Sequence, residues 1–202
     1  MRDRDLIRLY WPVDLRPAFD ALFAIDDAMG DVVATASQPA LGAIKLAWWR
    51  EALVRLDNSP PPPEPRLQAV AEHLIPRGVS GAMVASIEDG WTTLLDEQPD
   101  ERRIAARGER LFAIGATLLG GDDVMLAEAG RLFALNDVAR RGLMETDAVV
   151  PKHHQFLRRI RPLTALAKLA ARDVRHGWPM EPEATPRRAL ALLVHRLFGI
   201  IP

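Results

Sequence analysis

Acidic side chains offer the clearest opening for chemistry in this chain. Between Asp20 and Asp31 the order DALFAIDDAMGD carries Asp20, Asp26, Asp27 and Asp31. Asp20, Asp27 and Asp31 are seven and then four residues apart, so on a helix they share one stripe. Like charges at i and i+4 repel unless water or a cation lies between them. Two readings are open: a solvated acidic face, which spacing alone favours, or a pair of ligands for Mg²⁺, which binds one or two carboxylates plus substrate phosphates. Other polar groupings say less. His153-His154 after Lys152 suggests a metal, but neighbours on a helix point about 100° apart and rarely share an ion. Arg172, Asp173, Arg175 and His176 crowd one helix end, where cations suit the dipole without further function. Trp48 and Trp49 read as core and rim packing, and Arg50 with Glu51 as an ion pair. No Gly-rich phosphate loop, nucleophile elbow or HExxH sequence occurs.

The elements that position these residues are helices. Apolar residues recur at helical spacing, no segment alternates with period two, and the fold class expected is all-α. Segments are predicted near 3 to 10, 14 to 35, 39 to 56, 66 to 76, 80 to 96, 100 to 119, 122 to 143, 155 to 175 and 186 to 199. Pro12, Pro39 and Pro65 mark starts, Gly78, Gly120-Gly121 and Gly177 mark stops, and Asp100 or Asp122 can cap. Pro162 is expected to kink or divide the helix that starts near Gln155. On helix 14 to 35, Ala18, Leu22, Ile25, Met29 and Val32 form the core stripe. NSPPPPEP, residues 58 to 65, reads as a stiff surface loop. In the last helix Leu190, Leu193, Leu197 and Ile200 or Ile201 share one side, with Arg187, Arg188 and Arg196 elsewhere. Core packing is the expected role of that side, and docking on a membrane surface the alternative.

Composition narrows the function classes. A chain of 202 residues forms one domain, residues 1 to 202, able to bury about 70% of its unfolded surface. The 26 basic and 27 acidic residues are interleaved without a basic block, so nucleic acid is not an expected partner. Three of the basic residues are lysine, Lys45, Lys152 and Lys168, which leaves 23 arginines and points to a GC-rich bacterial genome. Cysteine is absent, which removes disulfides, thiolate nucleophiles and Cys-bound metals. No apolar signal core or membrane-length run is present, so the expected location is cytoplasmic, with peripheral membrane association open.

Residues 22 to 53, LFAIDDAMGDVVATASQPALGAIKLAWWREAL, carry a family resemblance. The order of an LYAF-like lead-in, an Asp-rich turn and WWREAL resembles the second and third helices of the squalene/phytoene synthase family. RLFAIGATLLGGDD at 110 to 123 is similar to that family's Ala-Gly-x-Leu-Gly helix, and LFALNDVARR at 132 to 141 to its second Asp-rich motif. The resemblance covers about residues 4 to 151. It implies an isoprenoid synthase-type bundle with a central cavity, in which two Asp-rich motifs on facing helices hold magnesium against substrate diphosphates. The alignment puts the first motif's two aspartates at Gly30 and Ala34, with Asp31 next to the first and Asp26 one turn before it. In the second motif Asp137 falls where the family has Asn, Arg141 where it has the first aspartate, and Glu145 near the second. An arginine there inverts the local charge.

What the resemblance implies about function therefore divides. The favoured reading is a degenerate, noncatalytic member, similar to a phytoene synthase-like assembly factor of mitochondrial respiratory complex I and its alphaproteobacterial relatives, which binds an isoprenoid, a prenyl diphosphate or a protein partner. The alternative is an active Mg-dependent transferase condensing prenyl diphosphates in isoprenoid biosynthesis. Candidate catalytic residues are Asp26, Asp27, Asp31 and Asp137. Asp27, Asp31 and Asp137 would be the metal ligands of an active enzyme, and no cofactor is expected otherwise. An apolar cavity is expected along Phe23, Met29, Leu111, Ile114, Leu118 and Phe133, with Arg140 or Arg141 at its mouth as counter-charge.

Overall fold

Helix starts follow the local chemistry. Glu64, Ser80, Asp100 and Thr185 each accept a hydrogen bond from the backbone N–H two or three residues on, which satisfies a donor the helix itself cannot use. Prolines occupy the first turn of five helices, where the missing N–H costs nothing. The result, a computed structural model describing residues 2–201, is all-α as the periodicity predicts. Its helices are α1 Asp3–Arg8, α2 Arg16–Ala34, α3 Pro39–Arg55, α4 Pro65–His73, α5 Gly81–Ala85, α6 Glu88–Thr92, α7 Glu101–Leu119, α8 Leu126–Arg140, α9 Arg161–His176 and α10 Pro186–Phe198. Two short strands, β1 His154–Gln155 and β2 Ile200–Ile201, pair antiparallel with His154 opposite Ile201.

Three boundaries differ from expectation. Residues 80 to 96 are α5, α6 and a 3₁₀ turn, not one helix. α8 starts at Leu126 rather than near Asp122, because Asp123 turns its side chain onto the Met125 N–H and holds a turn ahead of the helix. Pro162 neither kinks nor divides a helix: α9 begins at Arg161, so the proline falls in its first turn, and Gln155 belongs to β1.

One connected apolar core runs from Ile7 to Ile201. α7 and α8 meet backbone to backbone: a Cβ on Gly108 would lie 1.9 Å from the Gly130 carbonyl oxygen, so both positions demand glycine. That approach sets the distance between Arg107 on α7 and Asp137 on α8. Trp49 is buried on α3 while Trp48 is half exposed, in keeping with core and rim packing. Arg50 reaches Glu88 at 3.7 Å, whereas Glu51 pairs with Arg55 one turn on, so the expected Arg50–Glu51 pair is replaced by two others. The last helix also departs from expectation. Leu190, Leu193 and Leu197 face outward, and Arg188 is buried.

Candidate functional site

Helices α1, α2, α7 and α8 converge on a network of six charged side chains. α2 supplies Asp26 and Asp27, α7 Arg107, α8 Asp137, the residue closing α8 is Arg141, and α1 supplies Arg4. Arg141 stands between the two walls: its Nη2 donates to Asp27 Oδ1 at 2.8 Å and its Nε to Asp137 Oδ1 at 3.0 Å. Arg4 takes the rest of Asp27, with Nη1 to Oδ2 at 2.6 Å and Nη2 to Oδ1 at 3.1 Å. Arg107 joins Asp137 Oδ2 at 2.8 Å to Asp26 Oδ1 at 3.2 Å. Three carboxylates thus face these three guanidinium groups, and exposed Arg2 approaches Asp27 Oδ2 from outside at 3.7 Å. Trp91 of α6 completes the shell. Its Nε1 donates to Asp26 Oδ1 at 2.8 Å, and the Arg107 guanidinium lies over its ring at 3.8 Å.

Gly30 makes this packing possible. A Cβ there would stand 2.8 Å from Arg141 Nη1 and 2.9 Å from the Trp91 ring. Position 30 is therefore empty of side chain, and the arginine and tryptophan fill the space. Ala34 lies exposed, near the end of α2.

Burial and charge act in opposite directions across the network. Complete burial pushes the Asp26 carboxyl above its ordinary range, more than Arg107 lowers it. Its Oδ2 has no hydrogen-bond partner among the described residues, and neither does Arg107 Nε. Burial also raises Asp27, but Arg4 and Arg141 outweigh it and hold the carboxyl below its usual range. Asp137 is lowered in the same way, burial being overcome by Arg107 and Arg141. Arg141 is held protonated: burial lowers its pKa, and Asp137, Asp27 and Asp26 raise it further.

This donor set does not fit magnesium. Asp27 and Asp137 present their oxygens to guanidinium groups, and a divalent cation would have to displace Arg141 to reach both. Asp31 is exposed and apart from the network, with its carbonyl accepting from Thr35. Asp27 and Asp31 are therefore not brought together as a ligand pair. Among the described residues no cluster of three or more His, Cys, Asp or Glu could hold a metal.

A second network lies beside the first. Buried Arg188 of α10 donates Nε to Asp3 Oδ1 at 2.9 Å and Oδ2 at 2.8 Å, and Nη1 to Asp173 of α9. Arg140 reaches Asp173 at 2.8 Å and Asn136 Nδ2 donates to it at 3.1 Å. Between the networks lies a cavity of about 290 Å³ with a floor of Ile7, Phe133, Leu166 and Leu169. Arg2, Arg4, Arg140, Arg141 and Arg188 line it together with Asp3, Asp137, Asp173 and Glu183, so its wall carries five guanidinium groups and four carboxyls. Burial, then Asp3, raises the Glu183 pKa.

No family model, curated protein or solved structure matches the chain.

Phe133, Arg140 and Arg141 line this cavity, while Phe23 and Met29 do not. They lie in the packed interior with Leu111 and Ile114. Trp11 fills the space: it stacks on Phe19 at 4.7 Å and Phe23 at 5.7 Å, and Phe133 meets both Phe23 and Phe112. Sequence reasoning missed Arg4, Arg107, Asp173 and Arg188. Three of them left a signal. Arg107 sits between Ile104 and Leu111, Asp173 continues Leu166, Leu169 and Ala170, and Arg188 precedes Leu192 by one turn, so each charge falls on a buried face.

Proposed function

We propose that the chain is a noncatalytic relative of the squalene/phytoene synthases that binds an anionic isoprenoid without magnesium, its head group among Arg2, Arg140 and Arg141 and its chain against Phe133, Leu166 and Leu169. The observation that carries this reading is the Arg141 bridge between Asp27 and Asp137, a resident cation where metal-dependent chemistry would need a mobile one. A cavity of about 290 Å³ lies just below the usual size of small-molecule sites, roughly 300–1,000 Å³, and suits a head group with the first part of a chain. The site would serve as a recognition surface, through which an isoprenoid or a partner protein's acidic group could be held in an assembly role.

Calorimetric titration with farnesyl diphosphate, with Mg²⁺ or with EDTA, tests the reading. Binding should be equal in both buffers, weaken in Arg140→Gln, and release no pyrophosphate. Mg²⁺-dependent pyrophosphate release that disappears in Asp27→Ala or Asp137→Ala would restore the transferase reading. Absence of binding in both buffers would remove the isoprenoid.

A further inference from the structure

Helix α10 is turned inside out. At 100° per residue Arg188, Leu192 and His195 share one face, and it is this face that is buried. The opposite face carries Leu190, Leu193, Val194 and Leu197 at the i, i+3, i+4, i+7 spacing of an apolar stripe. These side chains are 60%, 46%, 42% and 61% exposed, and Phe198 beside them is 54% exposed.

Polar contacts fix this orientation. Arg188 is held by Asp3 and Asp173. His195 lies with Nδ1 against the Ile200 carbonyl at 3.3 Å and Nε2 against the Thr164 hydroxyl at 2.9 Å. The carbonyl can only accept, so Nδ1 carries the proton and Nε2 accepts from Thr164. Rotating the helix to bury its leucines would strand a guanidinium and an imidazole, so the apolar row stays outside.

The charge beside that row has one sign. A groove of about 570 Å³ between α9 and α10 is lined by Lys168, Arg172, Arg175, His176 and Arg187 with Leu190, Ala191 and Val194, and no lining residue is acidic. Arg172 is itself paired with Glu181. Lys168 has its pKa lowered by burial and then by Arg175 and Arg172, as expected where cations crowd. A second copy related by a two-fold axis would set this cationic groove against its twin, which disfavours self-association through it. An anionic lipid surface matches both features, with acyl boundary for the leucines and phosphate for the cations.

We propose that the outward face of α10, with the cationic groove it shares with α9, docks the protein on anionic membrane surfaces. Neither the cavity between the networks nor its ligand enters this assignment. Among the described residues no helix is long and apolar enough to cross a membrane, so the contact is peripheral.

Co-sedimentation of the full chain with vesicles of phosphatidylcholine alone, or mixed in equal parts with phosphatidylglycerol, reads the proposal directly. The protein should pellet with the mixed vesicles, much less with the neutral ones, and lose binding as salt rises. Leu193→Asp with Leu197→Asp should reduce binding more than about tenfold while the urea midpoint stays unchanged, since both side chains are exposed. Lys168→Gln with Arg187→Gln should weaken it roughly 25-fold, about fivefold per cation. Failure to bind mixed vesicles, or equal binding to both kinds, overturns the assignment. So does a lipid-free dimer that Leu193→Asp with Leu197→Asp dissociates, because the face would then belong to a second copy.

Discussion

Two buried arginine–carboxylate networks lie side by side in this bundle, and they solve the same electrostatic problem unequally. Around Arg188 both carboxylates are bound on each oxygen, and the neighbouring Asn136 donates its Nδ2 while its neutral Oδ1 is buried without a partner. Around Arg107 one carboxyl oxygen of Asp26 and the Arg107 Nε are buried without partners. The first arrangement joins the beginning of the chain to its end, through α1, α9 and α10. The second binds α2, α7 and α8 at the centre, where close packing leaves no freedom to optimise every hydrogen bond. Buried ion pairs contribute little net stability when complete, yet breaking one leaves an uncompensated charge. The network whose charged atoms lack partners is therefore the more sensitive of the two.

Arg107→Ala should show this most strongly. It deprives Asp26 and Asp137 of their shared cation, and we expect a loss of about 3–5 kcal/mol in urea unfolding. A loss under about 1 kcal/mol would mean that the carboxylates find other partners and that the comparison fails. Arg188→Ala should cost about 3 kcal/mol. Hydrogen exchange should locate its effect in α1 and α10 while α7 and α8 keep their protection, since elements at chain ends can open separately.

Acid should separate the two regions. Burial lowers the His195 pKa to about 4, so the folded state keeps the ring neutral while the unfolded chain takes up a proton below its ordinary value near 6.5. Stability is fully present above about pH 6.5 and falls as pH drops through that window toward 4. Its magnitude is about 3 kcal/mol at 1.4 kcal/mol per pKa unit. The lowered Asp27 and Asp137 keep their contribution until pH falls below the usual carboxylate range. Exchange protection of α10 should thus decline between pH 6 and 4 ahead of that of α8, and simultaneous loss would contradict the assignment to His195.

Gly30→Ala tests the space that Arg141 and Trp91 occupy. The added methyl would meet the tryptophan ring, and we expect a cost of about 1–2 kcal/mol despite the better helix propensity of alanine. A gain in melting temperature would show that the ring moves freely. The smallest effect is expected at the rim, where Arg8 and Asp20 pair in solvent. Asp20→Asn should leave the urea midpoint unchanged.

How much of this was legible depends on the distance over which each feature is encoded. The helical class, the proline and cap positions and the inward turn of Trp49 are local, since the period of apolar residues and the first-turn donors lie within a few residues of each other. The charged residues themselves, Asp26, Asp27, Asp137 and Arg141, could likewise be read directly along the chain. The partners could not. Arg4 meets Asp27 across 23 positions, Arg107 meets Asp26 across 81, Arg141 meets Asp27 across 114 and Arg188 meets Asp3 across 185.

The sequence by itself determined the helical class and most of the long helices, and it placed three charges on faces otherwise apolar. Tertiary structure decided which distant partner neutralises each of these charges, that Trp11 fills the space expected to be a tunnel, and that α10 turns its leucines outward. The reason is the same in each case. A stripe of apolar residues says that a face seeks cover, but a buried guanidinium needs a carboxylate more than a leucine needs the core, by several kcal/mol against roughly 1.5–3. Which carboxylate is within reach is set only when distant helices have packed.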